Sequence, residues 1–536
     1  MKYIPILFVL IFFRLITVSA QVKTDIISFE NLGGYGEERF PFFIPTPDGG
    51  FLASIYTLSN GGSLDFSCGK KVRTVYRKYD TNGVFTGQWC KLSQGINIRT
   101  LPKILPSGNI FYVHNIPPIG SNAPQRLRFE KEDTAGNLLM KKELGPTQGT
   151  CALGNIISTT DGGFLFTASI NLGGGDVIHE PADLGKKNSN LWVVKIDTNA
   201  NILWQQIIGG SHAESIPKIA LAPDGGYYIA ANSRSSDFDC KCSGGKGYEI
   251  FIARLDSLGD ILWSRCMGSV EDNVWIADIV EDGTGGLYVA STAEGKWKDL
   301  SGVHIGLQDF WVIHLDKDNK LLLNKCYGSV SGREFASDIE VAKDRTIWLT
   351  GYINKPDFKP SGREGMIDTI YGESDAWVIK IDSTGQLLYS KTLGTLYNDR
   401  GYHLYSLHDS SVVVCGLYAW PKDGGNMPLI HEGGISDAFI TRFGTPKPNG
   451  VISEGGKLQN NIHLYPNPAE DKMYIKNTAQ QDSRIQISDI NGRTVSDIII
   501  KPGATQIDVQ DWPRGVYILK SSDENGHQSF HKFTKL

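Results

Sequence analysis

The sequence has little of what marks a nucleic-acid-binding, membrane-spanning or familiar catalytic protein. Charged residues make up 21% of the 536 positions, the net charge is −5 and no dense Lys/Arg run occurs, so nucleic acid and anionic membranes are not predicted partners. After the N-terminus no apolar run reaches the ~20 residues that a transmembrane helix needs. The chain has no glycine-x-serine-x-glycine elbow, no histidine-glutamate-x-x-histidine pair and no phosphate loop. The sequence therefore predicts no catalytic residue.

The N-terminus has the pattern of a secretory signal peptide at residues 1–20. Lys2 supplies a positive charge, residues 4–18 are almost wholly apolar, and small residues precede a cleavage site before Gln21. A membrane anchor is the alternative, but the apolar run is too short for it. We therefore predict an exported protein.

Eight cysteines occur in a compartment where disulfides are stable. Cys266 and Cys326 occupy the same position of an internal repeat, which predicts core residues of separate repeats and not bonded partners. The candidates for a bridge or a metal site are the loop cysteines Cys68, Cys240 and Cys242.

What the sequence does have is glycine, aromatic residues and an internal repeat. Sixty glycines, 21 Tyr and 11 Trp indicate many turns and short aromatic strands. One alternating segment, rich in Trp, Val and Ile, recurs at residues 191–204, 251–263, 310–316 and 376–389. An Asp ends its strand and opens a hairpin turn, which in several copies has the form Asp-x-x-Gly, as at Asp80 to Gly83. A second marker, an Asp-Gly-Gly turn that feeds a strand, alternates with it at residues 48–51, 161–164, 224–227 and 282–287.

Seven copies follow one another at a spacing of about 60 residues between residues 25 and 443. Each copy predicts four antiparallel strands, called A to D, which is typical of a propeller blade. The last copy ends after strand C, whereas residues 25–34 resemble an isolated strand D. This circular offset predicts an all-β, seven-bladed β-propeller closed by the N-terminal strand, and it disfavours the alternative of a solenoid.

The repeat stops after residue 443, and residues 444–460 form a polar linker. Residues 461–536 predict a small β-sandwich of short alternating strands. Several of its features resemble the C-terminal sorting domain of type IX secretion cargo: Pro466, Asn467 and Pro468 at the start, an Asn-Gly turn at Gly492, a Gly-Val-Tyr run at Gly515, and a basic final strand with Lys532 and Lys535.

The resemblance covers about a seventh of the chain. It implies export through the type IX machinery to the cell surface or medium of a bacterium, with removal of the domain and release or attachment to surface lipopolysaccharide. The repeat region resembles uncharacterised propeller-like repeats that are joined to such domains, and that resemblance implies no activity.

The loops between strands B and C are long and share one face with the D–A loops, so we expect a ligand there. Five acids follow strand D near the start of strand A and are candidates for a ring that binds a cation or a basic ligand: Glu38, Glu214, Asp272, Glu334 and Asp399. The alternative, which we favour, is that each acid accepts hydrogen bonds from backbone N–H groups at its own strand start.

Asp237 and Asp239 stand two residues apart in a B–C loop and could supply oxygen ligands, so Ca²⁺ is the only cofactor that the sequence leaves open. The loop lacks a full calcium-binding pattern, and the simpler reading is that Asp caps a turn while Phe packs the loop down. Trp297, Trp420 and Tyr371 lie in or beside these loops and could stack on sugars.

These patterns predict a secreted or cell-surface binding or adhesion protein with a glycan or protein ligand. The alternatives are a propeller hydrolase or lyase that acts on glycans with acids at the channel mouth, and a spacer without a small ligand. Two close carboxylates beside aromatic residues in one cleft would favour the enzyme.

Overall fold

The computed structural model describes most of the repeat region and the C-terminal segment. The described residues are 25–33, 37–58, 73–92, 102–118, 123–178, 188–295, 298–301, 303, 305–330, 332–354, 369–419, 426–427, 436–444, 462–465, 469, 471–477, 481–489, 493–522 and 528–535. The predicted signal peptide and residues 445–460 of the predicted linker lie outside this set. The chain divides into two compact units, residues 1–446 and 447–536.

The first unit is built of four-stranded antiparallel sheets in chain order. The chain begins with β1 (Asp25–Leu32). Sheet 1 contains β2 (Glu38–Pro45), β3 (Phe51–Thr57), β4 (Arg73–Tyr79) and β5 (Phe85–Leu92). Sheet 2 contains β6 (Lys103–Ile104), β7 (Ile110–Ile116), β8 (Arg126–Glu132) and β9 (Leu138–Leu144). Sheet 3 contains β10 (Cys151–Ser158), β11 (Phe164–Ile170), β12 (Asn190–Ile196) and β13 (Ile202–Ile208).

Four more sheets follow the same order. Sheet 4 contains β14 (Glu214–Leu221), β15 (Tyr227–Ser233), β18 (Glu249–Leu255) and β19 (Ile261–Met267), with a small hairpin of β16 (Ser236–Asp237) and β17 (Cys240–Lys241) in its B–C loop. Sheet 5 contains β20 (Val274–Glu281), β21 (Leu287–Ala293), β22 (Asp309–Leu315) and β23 (Leu321–Tyr327). Sheet 6 contains β24 (Arg333–Val341), β25 (Ile347–Asn354), β26 (Ser374–Ile381) and β27 (Leu387–Leu393). Sheet 7 contains β28 (Asp399–Ser406), β29 (Val412–Ala419), β30 (Ser436–Gly444) and, as its fourth strand, β1.

This arrangement is a β-propeller-like all-β fold. Strands A to D of each copy lie in one sheet in the predicted order, and β1 pairs antiparallel with β30. Each neighbouring pair of sheets shares an apolar cluster, and the cluster that joins sheets 7 and 1 contains Leu32, Phe43, Phe51 and Val413. Because every sheet is covered on both faces, the strands carry nearly continuous apolar runs.

The repeated sequence markers have a physical cause at the ends of the strands. At the end of strand C, the Asp197 carboxylate accepts hydrogen bonds from the N–H groups of Asn199 and Asn201, both at 2.8 Å, and thereby holds the C–D hairpin turn. The same two bonds recur at Asp80, Asp133, Asp256, Asp316 and Asp382. The turn needs a left-handed residue, which is Gly in some copies and Ala200 (φ 57°) in sheet 3.

A second repeated contact joins the basic residue of strand C to the Asp of the A–B turn. Lys195 Nζ donates to the Asp161 carboxylate at 2.6 Å. Equivalent pairs are Lys78–Asp48, Arg254–Asp224, His314–Asp282, Lys380–Asp344 and Arg442–Asp409. In sheet 2, where Ser107 replaces the Asp, Lys131 donates to Asn199 Oδ1 instead.

The second unit has two antiparallel sheets that share one apolar core. One sheet contains β31 (Ile462–Tyr465), β32 (Lys472–Asn477) and β35 (Gly503–Asp508); the other contains β34 (Thr494–Ile500), β33 (Ser483–Asp489), β36 (Gly515–Ser522) and β37 (Gln528–Lys535). Met473, Ile475, Ile487, Leu519 and Phe533 are buried in that core. Within the described part of the chain, no helix has the length and apolar character to cross a membrane.

The prediction that Cys266 is an unbonded core residue is wrong. Cys266, on the outer strand of sheet 4, forms a disulfide with Cys242, which directly follows β17. The hairpin in the B–C loop contacts the outer strand of its own sheet, a contact that repeat position alone does not reveal. Cys240 and Cys326 are buried free thiols, and Cys90 is also disulfide-bonded, whereas Cys68 lies outside the described residues.

Candidate functional site

Four of the five predicted acids lie at equivalent places at the start of strand A. Glu38, Glu214, Glu334 and Asp399 are fully buried, and each pairs with a residue near the end of strand B in its sheet. We call these four residues the strand-start acids. Asp272 is different, because it lies two residues before β20 and Val274 takes the equivalent place.

The strand-start acids accept hydrogen bonds from hydroxyl and N–H groups of their own sheet and of the loop before it. The Glu214 carboxylate accepts hydrogen bonds from Ser233 Oγ (2.8 Å), Ser235 Oγ (2.6 Å) and the N–H of Gly210 (3.1 Å). Glu334 accepts from the hydroxyl and N–H of Ser329. The Asp399 carboxylate accepts hydrogen bonds from the N–H and the hydroxyl of Thr395. The Glu38 carboxylate accepts one from the Thr57 hydroxyl.

Burial raises the pKa of three of these carboxyls. The pKa is about 7 for Glu214, about 8 for Glu334 and about 7 for Asp399. The glycines before them permit this close packing, since a Cβ on Gly209 would lie 2.2 Å from Asn190 Oδ1 and 2.8 Å from Glu214 Oε2. The contacts fit the hydrogen-bonding role that we favoured from the sequence.

Asp237 and Asp239 cap the neighbouring D–A loop. Asp237 Oδ1 accepts from Ser211 N–H at 2.8 Å, and Asp239 Oδ2 accepts from Gly209 N–H at 3.3 Å. Phe238 between them is 47% exposed, so it does not pack the loop down as expected. Among the described residues, no group of three His, Cys, Asp or Glu side chains is placed to hold a metal ion.

Several predicted residues lie wholly or partly outside the described set. Pro466, Asn467, Pro468, Gly492, Trp297 and Trp420 lie outside it. Gly515 begins β36 and Lys535 is buried in β37, whereas for Lys532 only the backbone is described, in the same strand. Tyr371 is partly buried, and its N–H donates to Asp375.

The structure has a cavity of about 650 Å³ that residues from all seven sheets line. Its wall comes mainly from the A strands, and Tyr56 and Thr74 place one side near the B–C loop of sheet 1. None of the strand-start acids lines it. The charged lining residues are Lys103, Lys218, Asp278 and His403, none of which the sequence analysis had singled out.

A β-bulge places the side chains of Lys218, Asp278 and His403. In six A strands the register shifts near the middle, and the residue that resumes pairing is Phe42, Asn155, Lys218, Asp278, Asp338 or His403. A bulge inserts extra residues and re-aims the side chains that follow. In β14 the bulge holds Ile216 at φ 55°, a strained conformation for a β-branched residue, with its side chain 48% exposed on the cavity wall.

Four of these residues form a continuous polar chain across sheets 4 to 7, here named the cavity chain. Lys218 Nζ lies 3.5 Å from Asp278 Oδ2. Asp278 interacts electrostatically with Asp338 and raises its pKa, and Asp338 Oδ2 lies 3.2 Å from His403 Nδ1. Asp338 also accepts the N–H of Leu404 at 2.6 Å, which ties sheet 6 to sheet 7.

Burial sets the protonation of the cavity groups. It raises the pKa of Asp338 well above its usual value, with Asp278 adding to the effect, and so favours the neutral carboxyl. Burial lowers the pKa of His403 to about 4 and that of Lys103 to about 8. It raises the pKa of Glu340, two residues beyond Asp338, to about 7. The cavity wall therefore carries the neutral imidazole of His403 and the ammonium group of Lys103, whereas Asp338 and Glu340 do not line it.

Comparison with known proteins identifies the second unit. Residues 463–535 match the family described as secretion system C-terminal sorting domain. This bears out the predicted type IX sorting domain, which implies interaction with the type IX secretion machinery and indicates secretion or attachment at the cell surface of a bacterium. No curated protein sequence matches the chain.

Solved structures resemble the chain only in fold. A mutant of NanB sialidase from Streptococcus pneumoniae is 9% identical over 59% of this chain, with a TM-score of 0.37, and the chain spans 65% of that sialidase. The WD40 domain of Neurospora crassa Pan2 is 9% identical, with a TM-score of 0.39 and coverage of 80% and 97%. A Dyadobacter fermentans protein of unknown function is 11% identical, with a TM-score of 0.38 and coverage of 79% and 99%. These likenesses carry no argument about function.

Proposed function

We propose that the chain is an exported, seven-bladed β-propeller, closed by β1, that binds a ligand in its central cavity. Two observations support the ring. Sheet 7 takes its fourth strand from the start of the chain, and β2 contacts β28, β29 and β30. Consecutive sheets contact one another in the same way along the chain. Closure of this kind leaves no open sheet edge between the first and last copies.

The observation that carries the binding function is the convergence of unlike polar groups in one cavity. Lys103, Asn155, Lys218, Asp278 and His403 come from five different sheets and meet in one space. A pocket of several hundred cubic ångströms with a few convergent polar groups in an apolar wall has the character of a small-molecule site. Asn155, Lys218 and His403 differ from the residues at the equivalent position of the other copies, so the repeat itself does not require them, whereas Asp278 matches Asp338.

A glycan hydrolase or lyase is the second candidate, because Asp278 and Asp338 form a carboxyl pair beside aromatic residues. Retaining and inverting glycosidases hold their carboxyls about 5 to 9.5 Å apart. Both carboxyls of such a pair must face the bound glycan, and Asp338 does not line the cavity. Asp338 is further occupied by backbone N–H groups of Leu404 and Ile339. This geometry supports binding over hydrolysis.

The domain plan that goes with this function is a signal peptide at 1–20, the propeller at 21–443, a linker at 444–460 and the sorting domain at 461–536. After processing, the propeller is released or attached to surface lipopolysaccharide, where it meets glycans or proteins outside the cell. The sorting match supports export, and the cavity supplies the binding site.

The test is a glycan and host-protein array probed with the labelled full chain. Ser337, on the cavity wall, is replaced in the variant Ser337→Trp to fill the cavity. Ser264→Trp, on an exposed position of the outer strand β19, is the matched control. We expect array binding that Ser337→Trp abolishes and Ser264→Trp retains.

If Ser337→Trp unfolds at the wild-type temperature and still binds the array ligand, the cavity is not the binding site. The ligand would then bind at the loops. Absence of any bound glycan or protein would contradict the binding function itself.

A further inference from the structure

Lys103 is a cavity lysine that no hydrogen bond or ion pair holds within the described part of the chain. Its side chain is partly buried in sheet 2 and lines the cavity. The nearby Asp278 carboxylate attracts it, but Asp278 is already paired with Lys218. Burial outweighs that attraction and lowers the pKa of Lys103 to about 8, so the lysine still carries its charge at pH 7 and a further anion would stabilise it.

Asn155 stands next to Lys103 in the ring, on sheet 3. Its Oδ1 accepts the N–H of Ile156 at 2.7 Å, which fixes the orientation of the amide. Its Nδ2 therefore remains a donor, and it has no partner among the described residues. An ammonium group and an amide N–H from neighbouring sheets suit the two oxygens of a carboxylate.

The rest of the wall suits a ring that bears hydroxyl groups. Phe42, Tyr56 and Tyr402 line the side that sheets 7 and 1 form, together with the hydroxyls of Ser54 and Thr74. Ile216 turns an exposed apolar side chain to the cavity from its strained bulge. Backbone strain of this kind persists where the surrounding structure enforces it, often at ligand sites.

We infer that the cavity takes an acidic sugar, a hydroxylated ring with one carboxylate, which Lys103 and Asn155 hold at the carboxylate while the aromatic side packs on the ring. This inference rests on the proposed function and specifies the ligand class of the same site. Such a sugar has two sources, a free monosaccharide acid and the end of an acidic polysaccharide chain.

The experiment measures binding of D-glucuronate, its neutral methyl ester and D-glucose to the full chain by calorimetry at pH 7. A charge-assisted hydrogen bond contributes about 1.5–3 kcal/mol, or about tenfold to hundredfold in Kd. We expect glucuronate to bind at least tenfold more tightly than the ester or glucose. Lys103→Met should remove that preference, whereas Lys141→Met, on the exposed strand β9 of the same sheet, should leave it unchanged.

A glucuronate-ended tetrasaccharide forms the second arm. Equal binding of monomer and tetrasaccharide supports a free or terminal sugar, and binding of the tetrasaccharide alone, with the same dependence on Lys103, supports a polysaccharide end. Equal affinity for glucuronate and glucose, or glucuronate binding that Lys103→Met leaves intact, would overturn the inference.

The two proposals fail differently. If an array ligand is lost in Ser337→Trp but no acidic sugar binds, the acidic-sugar inference is wrong and the cavity function stands. If glucuronate binds equally to wild type and to folded Ser337→Trp, the cavity function itself is wrong.

Discussion

The strand-start acids and the cavity chain are both sets of largely buried titratable side chains, yet they have different roles in the first unit. A strand-start acid binds hydroxyls and N–H groups of its own sheet and the loop before it, as Glu214 does with Ser233 and Gly210. The cavity chain joins different sheets, as Asp338 does with Leu404. The first arrangement repeats from copy to copy, and the second occurs once.

The difference shows how a repeat protein gains a unique site. Positions that recur with the same residue type hold each sheet together, so they contribute to stability at several equivalent places. Positions that differ from copy to copy are free to take other roles, and several such residues of the A strands line the cavity. We therefore expect substitutions in the two sets to separate stability from ligand binding.

The largest effect is expected for Asp338→Ala. The change leaves the buried N–H of Leu404 without its acceptor and breaks the contact between sheets 6 and 7. Loss of these bonds should lower the free energy of unfolding by about 2–4 kcal/mol. Urea unfolding at pH 7 measures it.

Asp338→Asn is the matched variant, because the amide keeps an acceptor oxygen and resembles the neutral carboxyl that burial favours. It should lower the free energy of unfolding by less than half as much as Asp338→Ala does. An equal loss in both variants would contradict the protonation that we assign to the cavity chain.

Glu214→Ala should have a smaller effect on stability and none on the cavity. It removes the acceptor of Ser233, Ser235 and Gly210 within one sheet, which we expect to cost about 1–3 kcal/mol. Glu214→Gln keeps one carbonyl acceptor and should therefore lower the free energy of unfolding less than Glu214→Ala does. The measurement pairs urea unfolding with glucuronate affinity, and a change in affinity as large as that of Lys103→Met would erase the distinction between the two sets.

Periodicity explains why one set was predictable from the sequence and the other was not. Strand order, the Asp-x-x-Gly turns and four strand-start acids all follow the repeat, and local hydrogen bonds give each a reason to recur. Asp272 was misplaced by two positions because sheet 5 has Val274 where four other sheets have an acid. Cys266 was misread because its partner Cys242 lies in the B–C loop, outside the repeated strand pattern.

The cavity chain gave no such pattern, since its residue types differ from copy to copy and their contacts join residues about 60 positions apart. One signal was available: each bulge residue stands nine positions before the first residue of strand B, as Asp278 does before Leu287 and Lys218 before Tyr227. Alignment of the copies at that residue would have brought Asn155, Lys218, Asp278, Asp338 and His403 into one column. The bulge, which places Asn155, Lys218, Asp278 and His403 on the cavity wall, is a structural irregularity that strand alternation does not predict.

The pH dependence of stability should reflect the buried acids. An unfolded glutamate loses its proton near 4.5, whereas Glu334 in the folded state keeps it to about 8. Between these values the folded state binds more protons, so the stability from this group is complete below pH 4.5 and is lost as the pH rises through 8. Thermal unfolding from pH 5 to 9 should show falling stability.

Glu334→Gln should remove part of that fall but not all of it, because Glu214 and Asp399 retain pKa values of about 7. Glu271→Gln, at an exposed position, should follow the wild-type curve. Identical pH profiles for wild type and Glu334→Gln would mean that Glu334 does not hold its proton in the folded state.

The smallest effect is expected at the opposite end of the sheets, where the strand C cations meet the turn aspartates. Lys195→Met should lower the free energy of unfolding by less than about 1 kcal/mol, because Asp161 is 57% exposed and solvent screens the pair. Lys78→Met, in which both partners are exposed, should lower it less still, and the two variants are compared by urea unfolding. These pairs recur in six sheets without contacting the cavity, so neither variant should change glucuronate affinity. A loss of affinity in Lys195→Met would show that recurrence in the repeat does not separate residues that stabilise the fold from residues that bind the ligand.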